Sequence, residues 1–83
     1  SRFDQFINEE NIQITKEREH ALNNCMAKLP NESQKIILDF YKSRFSCDKI
    51  AEICSKSTNA IRLILSRSRA DLRYCVKKQL EQQ

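Results

Sequence analysis

Apolar side chains recur at three- and four-residue intervals in four stretches of the chain, and each stretch predicts a helix with one buried stripe. Ala21, Leu22, Cys25, Met26 and Leu29 form the first stripe, on a helix expected from about Thr15 to Leu29. Thr15 is a fair N-cap, Glu17 and Glu19 suit the positive first turns, and Pro30 ends the helix because it disfavours helical backbone in the residue before it. Ile36, Ile37, Phe40 and Tyr41, with Leu38 beside them, predict a second helix from about Asn31 to Ser43, and Asn31 with Gln34 resembles a capping box. A break is expected at Ser43-Arg44-Phe45. Ser46 then caps a short third helix, with Asp48 at its positive end and Ile50, Ala51, Ile53 and Cys54 facing inward. Ser55-Lys56 make a turn and Ser57 caps a fourth helix that runs to about Leu80. On that helix Ala60, Ile61, Ile64, Leu65, Ser68, Leu72, Cys75 and Val76 share the core face. Thr58, Asn59, Arg62, Leu63, Ser66 and Arg73 lie on the other side.

Composition narrows the architecture to one all-α domain. The chain has 83 residues, no Gly and a single Pro, which leaves few ways to build tight hairpins or phosphate-cradling loops. The expected fold is a small four-helix domain with a C-terminal helix-turn-helix. Residues 1–14 are acidic and Asn-rich but carry Phe3, Phe6, Ile7, Ile12 and Ile14. They read either as a short helix packed on the domain or as a linker, the preferred reading being a linker or extension over residues 1–20 from an upstream domain.

Charge adds a direction. The net charge is +4, unevenly spread. Residues 1–20 hold three basic and five acidic side chains. Residues 56–78 hold Lys56, Arg62, Arg67, Arg69, Arg73, Lys77 and Lys78 against Asp71 alone. That asymmetry points to a polyanion meeting the last helix, although basic side chains also line ordinary solvated helix faces.

Chemistry other than binding has little support. The four cysteines, Cys25, Cys47, Cys54 and Cys75, form no C-x-x-C pair, and His20 is the only histidine, so no metal or cofactor is expected. The cysteines read as small apolar core residues of a reduced, cytoplasmic protein, with Cys47 the one expected to be exposed. There is no nucleophile–base pattern of an enzyme and no apolar run of a membrane span.

A short helix, a turn and a long basic helix can place the second helix in a DNA major groove. In its first two turns Asn59 could pair with adenine and Arg62 with guanine, while Thr58 and Leu63 offer methyl groups to thymine. Ser46, Lys56, Ser57, Arg67 and Arg69 are placed for phosphates, which set register and salt dependence. Asn59 is equally a residue type that bonds nearby backbone in a first turn, and surface arginines often pair with neighbouring acids.

Three blocks of this sequence resemble region 4 of bacterial RNA polymerase sigma factors, closest to the extracytoplasmic-function group. ALNNCMAKLPNESQKIILDFY is similar to that family's leucine-proline block, SCDKIAEICSKSTNAIR to its helix-turn-helix, and LSRSRADLRYCV to its tail. The likeness covers about 60 residues, from Ala21 to Leu80, and implies that residues 21–83 are such a domain. It further implies recognition of the promoter −35 element, docking on the flap of the polymerase β subunit, and a possible anti-sigma partner. By position Thr58, Asn59, Arg62 and Ser66 match base-reading residues, and Lys56, Ser57 and Arg67 match phosphate contacts. Phe40, Tyr41, Phe45 and Ile50 match the flap-side groove. The sequence departs from the pattern where Arg44 and Ser55 replace the family's usual glycines, since both would pay for left-handed backbone. It departs again where Leu63 replaces a small or polar residue and Ile64 an arginine. The alternatives are a stand-alone regulator with a similar motif, which would dimerise on a two-fold site, and a helical protein-interaction domain without DNA binding.

Overall fold

A computed structural model of the chain describes residues 16–81. They form four helices and no strand: α1 Lys16–Lys28, α2 Asn31–Tyr41, α3 Cys47–Cys54 and α4 Thr58–Glu81. The expectations for residues 1–14 and for Thr15 as a cap lie outside the described residues. Lys16 to His20 belong to α1, so a linker reaching residue 20 would overlap the helix.

The long α4 organises the packing. With 24 residues it is about 36 Å long, and it accounts for most of the 41 Å long axis of the fold. Each of the other three helices packs on it, and α2 also packs on α3. Its buried side chains are Ile61, Leu65, Ser68 and Leu72, which recur every three or four residues as the sequence pattern predicts. Ala21, Leu22 and Cys25 from α1, Ile36, Ile37 and Tyr41 from α2, and Ile50 and Ala51 from α3 complete the core. Full burial of an isoleucine or leucine contributes about 1.5–3 kcal/mol, so the six fully buried ones, Ile36, Ile37, Ile50, Ile61, Leu65 and Leu72, carry much of the fold.

The connections depart from the sequence reading in instructive ways. Asn31 and Gln34 make no capping box: α2 starts on Pro30 without a side-chain cap. The Gln34 amide instead reaches back across the proline and donates to the carbonyls of Leu29 at 2.8 Å and Ala27 at 3.4 Å. It thereby satisfies carbonyls that the end of α1 leaves without helical partners. α2 ends at Tyr41 rather than Ser43, where the Lys42 and Ser43 N–H groups both donate to the Leu38 carbonyl. Arg44 then takes a left-handed conformation (φ 59°) and the Phe45 N–H closes on the Asp39 carbonyl.

Two further expectations are corrected. Ile53, expected to face inward, is 46% exposed, because Ile50, Ala51 and the half-buried Cys47 and Cys54 already fill the contact side of so short a helix. The cysteines are not all reduced core thiols. Cys25 on α1 and Cys75 on α4 are joined by a disulfide. Cys47 and Cys54 are free and half-buried, so Cys47 is not the exposed one it was expected to be.

Candidate nucleic-acid interface

Local hydrogen bonds fix how α3 presents α4. Ser46, in extended backbone, accepts the Lys49 N–H on its Oγ at 3.1 Å and so caps α3. At the other end Ser55 is left-handed (φ 55°, ψ 43°). The Lys56 N–H bonds the Ala51 carbonyl at 2.9 Å and the Ser55 N–H bonds Glu52 at 3.3 Å, the paired bonds of a Schellman stop. Two residues later the Ser57 Oγ accepts the Ala60 N–H at 3.1 Å and caps α4. Both serine caps stand where the sequence pattern puts them. The Thr58 hydroxyl donates to the Asp48 carboxylate at 2.8 Å, tying the first residue of α4 to the first turn of α3.

Opposite its buried stripe, α4 exposes Asn59, Arg62, Leu63, Ser66 and Arg67. Their spacing is that of a single helix face. It carries two guanidinium groups, an amide, a hydroxyl and the leucine, itself 50% exposed. Arg73 and Lys77 continue the exposed side towards the end of the helix.

Three other predicted contacts already have partners within the protein. Lys56 pairs with Glu32 of α2 at 3.5 Å, both partly exposed. Such a surface pair contributes about 0–1 kcal/mol, little enough for a phosphate to displace it. Thr58 shares its proton with Asp48, which leaves its methyl group and lone pairs as contact groups. Arg69 is half-buried and donates to the Tyr41 hydroxyl at 2.9 Å. Its charge-assisted bond ties α4 to α2, a structural task besides any contact with a phosphate.

The residues matched to a flap-side groove divide by depth. Tyr41 and Ile50 are buried in the core, so they are not available to line a groove. Phe40 and Phe45 are half-buried. The Phe40 ring meets Tyr41 edge-on at 4.9 Å between centroids, and the Lys49 ammonium sits 4.8 Å from the centre of the Phe45 ring. Leu38, named only as a neighbour of the α2 stripe, is 38% exposed. Asp48, Glu32 and Tyr41 brace Thr58, Lys56 and Arg69, contacts that sequence spacing alone does not announce. Each partner lies on another helix, ten to 28 residues away. Comparison with protein-family models, with curated proteins and with solved structures finds no match to this chain.

Proposed function

We propose that residues 46–80 form a helix-turn-helix that reads a short asymmetric promoter element, the −35 element, as region 4 of a sigma factor does. In this reading α4 enters the major groove, α3 braces it, and the Phe40 and Phe45 side docks on the polymerase β-flap. The observation that carries the proposal is the exposed face of Asn59, Arg62, Leu63, Ser66 and Arg67 at the capped start of α4. Arg62 and Asn59 have the chemistry to read guanine and adenine, Leu63 and Thr58 that for thymine methyls, and Arg67 with the helix-start serines that for phosphates. A second support comes from the backbone: Arg44 and Ser55, at the positions where the sigma pattern usually has glycine, are the two left-handed residues among those described.

The test is selection of short duplexes by the protein at low and moderate salt, with and without a β-flap fragment. The expected outcome is one asymmetric element, enriched more strongly when the flap is present. Arg62→Ala should relax one base position and cost about 1–3 kcal/mol on the selected element. Arg67→Ala should weaken all sequences alike and flatten the salt slope. Enrichment of a palindrome would indicate a dimeric regulator instead, and an Arg62→Ala variant with unchanged affinity and preference would remove α4 from the reading role.

A further inference from the structure

We propose that the Cys25–Cys75 disulfide is a thiol–disulfide exchange site whose state sets how firmly α1 is held and how stable the folded domain is. The bond spans 50 residues and joins the only two helices that contain a bonded cysteine among those described. α1 rests on α4 above all, and its own buried contribution is small: Ala21, Leu22 and Cys25. One of the three anchors of the helix is therefore the bonded residue itself.

A reduced cysteine is a small apolar side chain, so once the bond is opened and the sulfurs move apart, both thiols remain apolar groups between α1 and α4. Opening the bond removes the covalent constraint and deletes no side chain. The two sulfurs also differ in access, for Cys25 is 1% exposed while Cys75 is half-buried. A dithiol approaches on the Cys75 side. Its thiolate attacks the Cys75 Sγ, the S–S bond breaks, and Cys25 leaves as a thiolate that takes up a proton. The second thiol of the reagent, losing its proton, then attacks the mixed disulfide and frees Cys75. The protein gains two electrons and two protons, and the dithiol becomes a disulfide.

The compartment supplies the reason for a response rather than a permanent link. A protein that binds promoter DNA works where thiols are kept reduced, and there a disulfide is transient or redox-sensing. That clause rests on the DNA-binding reading. The bond and its effect on stability do not, and they are measured without DNA, so the two proposals can fail separately.

The experiment follows the intact chain with and without dithiothreitol. Alkylation of the denatured, unreduced protein and mass spectrometry should find Cys47 and Cys54 modified and Cys25 and Cys75 protected. Reduction should expose all four. The closed loop predicts that reduction shifts the unfolding equilibrium by about a thousandfold and lowers Tm by at least about 10 °C. At a temperature where the reduced protein is still folded, amide exchange in α1 should accelerate at least about tenfold more than in α3. Removing the reductant under air should restore the oxidised values, even where the reduced protein is unfolded at the working temperature. Cys47→Ser with Cys54→Ser should keep the response, and Cys25→Ala with Cys75→Ala should abolish it. Four modified cysteines in the unreduced protein, or an unchanged Tm and α1 exchange after reduction, would overturn the proposal.

Discussion

The left-handed Ser55 offers a measurable entry into the turn that presents α4. Its φ of 55° and ψ of 43° lie in the region where a Cβ crowds the following carbonyl, at a cost of about 1–2 kcal/mol for a residue other than glycine. The Schellman bonds from Ser55 and Lys56 hold it there. Ser55→Gly removes the Cβ and with it that cost. Glycine also gives the unfolded chain more freedom, which offsets about 0.4–1 kcal/mol. The net expectation is a gain of about 0.5–1 kcal/mol, or about 3–6 °C in Tm for a domain of this size. Urea unfolding followed by far-UV circular dichroism, with the disulfide kept oxidised, reads the difference. Two controls isolate the cause. Ser55→Ala retains the Cβ and should stay within about 0.5 kcal/mol of the parent. Glu52→Gly, exposed inside α3, should cost about 1 kcal/mol because the backbone there is right-handed. A Ser55→Gly variant no more stable than the parent, beside a Glu52→Gly that loses stability, would refute the assignment of strain to this turn.

Three other outcomes follow from the packing. Leu65 is 2% exposed in the first half of α4; its truncation to alanine should cost about 2–5 kcal/mol, and an unchanged denaturation midpoint would mean the side chain is not buried. Tyr41→Phe removes the acceptor of the Arg69 bond, and in this part-buried setting should cost about 1–2 kcal/mol in urea unfolding. A loss well below that would show that Arg69 finds water or a phosphate as readily. Ser57→Ala should cost about 1 kcal/mol by opening the start of α4 to fraying, visible as faster amide exchange at Ala60, whereas exchange in α1 should be unaffected.

Periodic features of this protein were legible in its sequence and pairwise ones were not. The stripes on α1, α2 and α4 follow from a repeat of 3.6 residues, and the serine caps from a short-range bond three residues long. Arg44 and Ser55 stood out only through the resemblance, whose pattern has glycine at those places, and the left-handed backbone itself is a finding of the structure. Other features depend on which helix lies beside which. Gln34 could serve its own helix or the previous one, and in the fold it serves the previous one. Ile53 shares its helix with enough apolar neighbours that a periodic pattern cannot tell which of them will be left outside. Cys25 and Cys75 stand 50 residues apart, and no spacing rule distinguishes a bonded pair from two core thiols at that range. At the candidate site the exposed face of α4 was readable as a face. That Thr58, Lys56 and Arg69 would be shared with Asp48, Glu32 and Tyr41 was not, since each pairing is made by the tertiary fold.

The Cys25–Cys75 bond also decides how the domain would bear a mechanical load. With their Cα atoms 5.9 Å apart, these residues close residues 25–75 into a covalent ring, from which the start of α1 and the end of α4 emerge. A pull on Lys16 and Glu81, the outer ends of these two helices, would travel along α1 to Cys25, cross the sulfur bridge and leave through the last turns of α4. The segment between, with α2, α3 and the face of α4 that carries Arg62, would feel no tension while the ring is closed. Once the ring is opened, the same pull would reach the segment between Cys25 and Cys75.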